Sequence, residues 1–198
     1  YMIRGRYNRL IINLTIFWFL TGCIDTPYST TQWTTAAEFE AQESTFMCWN
    51  PTFQRTILNL TYTIAEHDHV TLFYNERYHQ PKNIEQILKN RGVNISNITL
   101  SPFNLENDNV WIRDYGPIFI HNTDGQQDIL SFKYDHEANQ EYNLFGEQYS
   151  SKMRLSFMRS NIYSAGGGRE INGKGTMLLI ESYEKSLNPE LSIQQIEE

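Results

Sequence analysis

The chain has 198 residues, a formal net charge of −7, and 40% hydrophobic and 14% aromatic residues. This length and composition predict one folded domain with a substantial core and argue against a disordered chain. The acidic balance, without a concentrated run of Lys and Arg, argues against a nucleic-acid partner and suits a cationic ligand. Two cysteines are too few for a disulfide framework.

The first 23 residues have the order of features expected of an export signal. Three arginines lie within the first nine residues, an apolar run follows at residues 10–20, and Leu20-Thr21-Gly22-Cys23 comes next. The apolar run is too short to span a bilayer comfortably. Leu-Thr-Gly-Cys resembles the lipobox of bacterial lipoproteins, which implies that Cys23 is lipidated and that the protein is exported and anchored to a membrane of the bacterial cell envelope. The alternative is an ordinary amino-terminal anchor or core helix that contains Cys23 by chance.

Residues 24–35 are rich in Ser and Thr, which predicts a tether between Cys23 and a folded domain that begins at Ala36. The first element of that domain is predicted at Thr45–Trp49, a short apolar run ended by Asn-Pro. Cys48 lies inside this run, so it is expected to be a core residue and not a nucleophile, because apolar surroundings raise the pKa of a thiol.

Strands and helices are predicted to alternate over the next fifty residues. The patterns indicate helices at Phe53–Glu66 and Pro81–Arg91 and strands at Val70–Phe73 and Ile95–Leu100. With the strand before them they give the order strand, helix, strand, helix, strand, which is typical of an α/β domain. His67 and His69 do not predict a metal site, because no third ligand with suitable spacing follows them.

The segment Asp108–Pro117 places two acids, one arginine and two aromatic residues within ten positions. A carboxylate beside an indole ring can hold a planar cation, since the acid accepts two N–H donors and the ring lies against the flat face of the cation. The natural ligand for such a pair is a guanidinium group. The alternative is an internal ion pair of Arg113 with Asp114 or Asp108 at the end of a strand, followed by a plain turn.

A β-hairpin is predicted after this segment. Two apolar stretches, Pro117–His121 and Asp128–Phe132, are separated by Asn122-Thr123-Asp124-Gly125, which is a turn sequence. Residues 134–145 are polar and aromatic without a period, so a loop is predicted there.

The segment Gly166–Thr176 contains the GxxxxGK part of a phosphate-binding loop. However, Gly175 stands where Ser or Thr would hold magnesium, and the following Met-Leu-Leu-Ile indicates a strand where a phosphate loop needs a helix. The segment therefore predicts a tight hairpin that turns at Asn172-Gly173.

Three segments in the same order resemble the agmatine deiminase and Porphyromonas-type peptidylarginine deiminase family. Residues 36–49 are similar to that family's opening PAEWEPQE…W segment, residues 111–119 match its WxRDxGPxF signature, and residues 166–176 are similar to its GGNIEVNGKGT hairpin. The resemblance covers residues 36–198. It implies a partial pentein, an α/β propeller of ββαβ-like blades, of which this chain supplies about the first half.

The same resemblance implies a guanidine-group deiminase, which hydrolyses agmatine, free arginine or peptidyl arginine to a ureido product and ammonia. In this chemistry a cysteine thiolate attacks the guanidinium carbon and a histidine transfers the protons. The resemblance implies that Asp114 is the catalytic carboxylate that holds the guanidinium, and that Trp111, Asp108 and Glu170 also bind the substrate. It implies no cofactor and no metal. The family's nucleophilic cysteine and His-x-Asp pair have no counterpart here, so this chain is expected to be inactive alone.

The chain departs from the family pattern at Ala165 and Gly168, which stand where the family has an acid and an asparagine. Near the carboxyl end, Ser192–Gln195 predicts a capping box that opens a helix. Such a short helix predicts that the sequence is truncated. The alternative class is an exported lipoprotein that binds a cationic small molecule or peptide without turnover, and the oligomeric state is open.

Overall fold

The computed structural model describes residues 32–105, 110–134 and 140–197. Within these ranges, nine strands form three sheets, and six α-helices accompany them. The strands are β1 (Trp33–Thr35), β2 (Thr45–Cys48), β3 (Val70–Tyr74), β4 (Ile98–Pro102), β5 (Ile118–Asn122), β6 (Gln127–Lys133), β7 (Phe157–Tyr163), β8 (Arg169–Ile171) and β9 (Met177–Leu179). The helices are α1 (Gln54–Ile64), α2 (Pro81–Arg91), α3 (Ile112–Tyr115), α4 (Gln140–Met153), α5 (Glu181–Leu187) and α6 (Ile193–Glu197).

The first sheet is parallel, with the strand order β2-β3-β4, and α1 and α2 connect its strands. Helix α2 begins with a proline and ends at Gly92, whose φ of 84° forms a left-handed cap that favours glycine. Apolar residues of both helices and of β3 share one core, which includes Ile57, Val70, Leu72, Ile84 and Leu88. The predicted alternation of strands and helices is confirmed in this part of the chain.

Strand β4 starts later than predicted. The Asn94 side chain accepts a hydrogen bond from the Ser96 N–H at 3.3 Å, and Ile95–Asn97 forms a 3-10 turn. This local side-chain bond competes with strand formation, so the extended backbone begins only at Ile98.

The second sheet has the strand order β1-β5-β6-β7. Strands β5 and β6 form the predicted antiparallel hairpin, in whose turn Asn122 Oδ1 accepts the N–H groups of Asp124 and Gln126 at 3.0 and 2.9 Å. Strand β1 pairs with β5. It consists of the last three residues of the predicted tether, so the fold includes them.

Helix α4 crosses over between the parallel strands β6 and β7, so the prediction of a loop is wrong from residue 140 onward. Tyr142, Phe145 and Tyr149 have helical spacing and are buried. The Phe145 ring lies 5.2 Å from the Phe73 ring and 4.4 Å from the Phe103 ring, measured between centroids. Packing against this aromatic core stabilises the helix. The polar residues between the aromatic ones along the sequence obscured their helical spacing.

Strands β8 and β9 form the predicted antiparallel hairpin. Asn172 Oδ1 accepts the N–H groups of Lys174 and Thr176 at 2.8 and 3.0 Å, and Gly173 and Gly175 have φ values of 69° and 83°. Only glycine adopts such angles readily. Because strand β9 stands where a phosphate loop needs a helix, the phosphate-loop alternative is excluded.

The carboxyl-terminal helices are attached to the second sheet through Asn188, which is fully buried. Its Oδ1 accepts the Tyr163 N–H at 2.9 Å, and its Nδ2 donates to the Tyr163 and Glu184 carbonyls at 2.8 and 2.9 Å. The predicted capping box before α6 is confirmed, because Ser192 and Gln195 exchange side-chain-to-backbone hydrogen bonds of 2.8 and 3.2 Å. None of the helices in the described ranges is long and apolar enough to cross a membrane.

Candidate functional site

The three segments that carry the family resemblance meet at Arg113. Its Nη2 contacts the carboxylate of Glu38 from the first segment, and it lies 3.4 Å from Glu170 Oε1 of the third. The hydrogen bond with Glu38 is the largest cause of a raised pKa of Arg113, and burial acts in the opposite direction. These side chains are about half exposed, so each pair stabilises the fold by only about 0–1 kcal/mol. Their contribution is geometric, because they fix the three segments relative to one another.

The hairpin turn also touches the first segment directly. A Cβ atom added at Gly173 would lie 2.9 Å from Glu40 Oε1 and 3.1 Å from the Ala37 nitrogen, so the turn leaves no room for a side chain. The Ala37 N–H donates to Glu40 Oε2 at 3.1 Å. This hydrogen bond fixes the conformation of the first segment where it faces the hairpin turn.

Asp114 lies on α3, a single helical turn that follows Trp111 and ends at Gly116. Its Oδ1 accepts the Gly167 N–H at 2.8 Å. The glycine turn, defined as Gly166–Gly168, approaches α3 so closely that a Cβ added at Gly166 would lie 1.9 Å from the Arg113 carbonyl oxygen. The close approach therefore holds the Asp114 carboxylate in one orientation.

Trp111 and Asp114 lie on the same turn, because the Asp114 N–H donates to the Trp111 carbonyl at 2.9 Å. The Trp111 side chain is 61% exposed, which is unusual for the largest apolar residue. Its ring and the Asp114 carboxylate give this part of the surface an aromatic face and an oriented anion, which together can hold a planar cation.

Glu170 is placed beside Arg113, with a side chain that is 66% exposed. The structure thus brings three of the predicted substrate-binding residues, Trp111, Asp114 and Glu170, to the surroundings of α3. Asp108 and Cys23 lie outside the described residues.

Beneath α3, Tyr115 is buried, and its hydroxyl lies 3.2 Å from Cys48 Sγ in a hydrogen bond that either group can donate. Burial is the largest cause of a raised pKa of Tyr115, followed by the charge of Cys48. Cys48 itself is 5% exposed and belongs to the aromatic core. The interpretation of Cys48 as a core residue is confirmed, and a substrate at the surface cannot reach its sulfur.

Sequence reasoning missed Arg169, a buried cation that follows the glycine turn. Its side chain is 5% exposed, and its Cζ lies 4.3 Å from the centroid of the Phe132 ring. Burial lowers the pKa of Arg169 to about 10, so the group is still a cation at neutral pH. The alternation of strand β8 could have predicted this burial, because Arg169 shares a face with Ile171, whereas Glu170 points to the exposed side.

Glu184 of α5 is the acid whose charge acts most strongly on the Arg169 guanidinium. It is 2% exposed and accepts a hydrogen bond from Ser164 Oγ at 3.0 Å. Burial raises the pKa of Glu184, while the Ser164 hydrogen bond and the Arg169 charge oppose that increase. In the described ranges, no group of three or more His, Cys, Asp and Glu side chains is arranged to hold a metal ion.

Solved agmatine deiminases have a similar fold. The enzyme of Enterococcus faecalis matches with a TM-score of 0.69 and 20% identity, covering 83% of this chain and 48% of that one. The agmatine deiminase of C. jejuni gives 0.66 and 21%, covering 87% and 53%. A cysteine-to-serine variant of the C. jejuni enzyme, with substrate bound, gives 0.65 and 18%, covering 87% and 54%. The chain therefore has the mixed α/β fold of these deiminase structures.

The profile of the Porphyromonas-type peptidyl-arginine deiminase family matches residues 34–198, and the chain belongs to this family. A protein of Latilactobacillus sakei named "Putative agmatine deiminase" is 27% identical over 187 residues, which are 81% of this chain and 47% of that protein. A protein of the same name from Mycoplasma mycoides is 25% identical over 161 residues, or 73% and 40%. The chain spans about half the length of the curated relatives it matches, or slightly less.

Proposed function

We propose that this protein is a guanidine-group deiminase that holds its substrate through Asp114 and Trp111. In the reaction, one water replaces one terminal nitrogen of the guanidinium carbon, giving a ureido group and ammonium. The observation that carries the proposal is the Asp114 carboxylate, which the Gly167 N–H orients at 2.8 Å on the same turn as an exposed tryptophan. Family membership supports the reaction class.

Each group in this site has a distinct task. Asp114 accepts N–H donors of the guanidinium and so fixes the plane of the carbon that is attacked. Trp111 packs against the flat face of the cation. Arg113, held by Glu38 and Glu170, keeps α3 against the hairpin and acts as a positioning residue.

The covalent step requires a thiolate that adds to the guanidinium carbon, and a proton donor for the departing ammonia. Within the described ranges the only cysteine is Cys48, whose sulfur is buried and hydrogen-bonded to the Tyr115 hydroxyl. The substrate-bound C. jejuni protein is a cysteine-to-serine variant, which is consistent with a cysteine nucleophile in that enzyme. We infer that these described residues form the substrate-holding part of a deiminase site, and that the nucleophile is not among them.

We also propose that the chain forms about half of a pentein propeller, in which ββαβ-like blades surround a central ligand. The three small sheets, and the helices between strands of the first two, support this. The coverage of about half of the solved deiminases supports this division.

We expect this chain to bind guanidinium compounds weakly and not to hydrolyse them. An exposed ion pair contributes about 0–1 kcal/mol, so the dissociation constant for agmatine should be about 1 mM or weaker. Agmatine, arginine and an arginine-containing peptide would each be titrated into chain labelled with 15N-glycine. The Gly167 amide signal reports directly on Asp114, because it donates to that carboxylate. Ammonia release would be measured in parallel.

The control is Asp114→Asn, which keeps the shape and removes the charge, and should abolish the response to agmatine. Asp124→Asn is matched in chemistry but lies in the exposed β5–β6 turn, so it should leave binding unchanged. Binding that persists in Asp114→Asn would contradict the assigned role. Ammonia release that depends on Asp114 would refute the expected lack of turnover and make Cys48 a candidate nucleophile.

Location is a separate proposal, which rests on the sequence of residues 1–23. If Cys23 is lipidated, replacing it with Ala should abolish the incorporation of labelled palmitate and leave an uncleaved precursor in the expressing bacterium. Stable anchoring requires more than one acyl chain, because a single chain binds membranes only marginally. Equal labelling of the variant and the original chain would rule out lipidation at this position.

A further inference from the structure

Three exposed apolar side chains form a strip along β9 and the start of α5. Leu178 is 52% exposed, Ile180 is 57% exposed, and Tyr183 is 38% exposed. The backbone of Ile180 is still extended, so its side chain lies on the same face as that of Leu178. The Tyr183 N–H donates to the Ile180 carbonyl at 2.9 Å, which places the tyrosine next to them. We call these three residues the apolar strip.

One end of the apolar strip lies beside Arg113. Leu178 is the cross-strand partner of Glu170, whose Oε1 lies 3.4 Å from Arg113 Nη2. Partners in an antiparallel pair point to the same face, with their Cβ atoms about 5 Å apart. Leu178 therefore shares its exposed face with a residue that contacts α3.

The other end of the apolar strip reaches the glycine turn. A Cβ atom added at Gly168 would lie 3.0 Å from Tyr183 Cδ1, so the tyrosine ring packs against this residue. The preceding residue, Gly167, donates its N–H to Asp114 Oδ1 at 2.8 Å. The strip is thus separated from the Asp114 carboxylate by one residue of the turn.

The charges that border the apolar strip are acidic. Glu170 faces Leu178 across the hairpin, and Glu181 follows Ile180 directly; both acids are exposed. The neighbouring cation, Arg113, is paired with acids. An exposed apolar surface with a charged rim is typical of an interaction site, and this rim complements a ligand that is both cationic and apolar.

An extended peptide that contains arginine has this combination of groups. Its alternate side chains lie on one side of the backbone, about 7 Å apart, which is also the spacing of Leu178 and Ile180 along their extended segment. A peptide whose arginine is held by Asp114 can therefore place a second side chain on the strip.

We propose that the apolar strip is a subsite for an apolar side chain two positions from the arginine of an extended peptide. This inference rests on the proposed function, because it takes Asp114 as the residue that holds the guanidinium. Agmatine has no such side chain, so the strip favours a peptide ligand over agmatine. Partial burial of one leucine side chain on the strip should tighten binding about tenfold.

The test compares acetyl-Leu-Gly-Arg-Gly-Leu-amide with acetyl-Ser-Gly-Arg-Gly-Ser-amide on the full chain, with the Gly167 amide signal as the readout. The leucine peptide should bind more tightly by the factor given above. The double variant Leu178→Thr with Ile180→Thr keeps residues that favour extended backbone and should bind both peptides equally. Leu60→Thr is the matched control, because Leu60 is 49% exposed but lies on α1, and it should keep the original preference.

The outcomes separate this inference from the proposed function. If the original chain binds both peptides equally and Asp114→Asn abolishes their binding, the subsite is overturned and the proposed function stands. A preference for the leucine peptide that persists in the double variant would also overturn the subsite, because another surface would then hold the leucines. Binding that does not depend on Asp114, or no binding of either peptide, would overturn both proposals.

Sedimentation equilibrium tests a second copy of the chain as the occupant of the apolar strip. The original chain and the double variant should have the same molecular mass at the concentration used for the titrations. A dimer that only the original chain forms would show that the strip is a contact between copies, and would overturn its assignment as a peptide subsite.

Discussion

Gly166→Ala should destabilise the protein by about 3 kcal/mol, because the new methyl group would overlap the backbone. The added Cβ would lie 1.9 Å from the Arg113 carbonyl oxygen and 2.9 Å from its carbonyl carbon. Neither atom can rotate away as a side chain can, so α3 or the glycine turn must move as a unit, and overpacking of this kind typically costs about 1–3 kcal/mol or more. Urea denaturation of the variant and the original chain would measure the difference.

The neighbouring glycines provide graded controls. A Cβ at Gly168 would lie 3.0 Å from Cδ1 of Tyr183, whose partly exposed ring can swing, so Gly168→Ala should cost less than about 1 kcal/mol. A Cβ at Gly167 would lie 2.6 Å from Asp114 Oδ1. Gly167→Ala should therefore impair agmatine binding more than stability. Equal stability losses in all three variants would show that the contact with α3 is not what distinguishes Gly166.

Asn188→Ala should destabilise the protein by about 3–5 kcal/mol. The fully buried amide makes three hydrogen bonds, two to the backbone of Tyr163 and one to the Glu184 carbonyl. Truncation removes both hydrogen bonds to the Tyr163 backbone, whereas the Glu184 carbonyl still accepts the Asn188 N–H at 3.1 Å. Each buried polar group that loses its hydrogen bond costs about 1–3 kcal/mol. The variant should unfold at a clearly lower urea concentration.

Asn90→Ala is the appropriate comparison for Asn188→Ala. Asn90 lies on the exposed face of α2, and its side chain accepts only an exposed hydrogen bond from Gln86. Its replacement should change the free energy of unfolding by less than about 0.5 kcal/mol. If the two variants were equally stable, Asn188 would not be what attaches α5 to β7.

The parallel sheet and both hairpins could be predicted because their signals are local. Gly92 ends a helix whose apolar residues recur at helical spacing, and Asn172-Gly173 specifies a tight turn whatever surrounds it. Helix α4 could not be predicted in this way. Its apolar face depends on the rings of Phe73 in β3 and Phe103 just after β4, which are distant in sequence.

The sequence predicted which segments form the candidate site, but not the contacts between them. The motif identified Asp114 and Trp111, but nothing in the sequence indicated that Gly167 donates to that carboxylate or that Arg113 joins Glu38 to Glu170. These contacts arise from the docking of α3 on the hairpin, a tertiary event. The alternative of an internal ion pair of Arg113 with Asp114 is not favoured, because among the described residues Arg113 pairs with acids more than fifty positions away along the chain. Its other proposed partner, Asp108, lies outside the described residues.

Because Cys48 is buried, the rate at which its thiol is alkylated measures how often the core opens. A thiol-alkylating reagent needs an exposed thiolate, and this sulfur is enclosed by the aromatic core and bonded to Tyr115. Modification must therefore wait for a fluctuation that separates β2 from α3. The rate of alkylation, divided by the rate for an unfolded peptide, gives the population of that open state and hence its free energy.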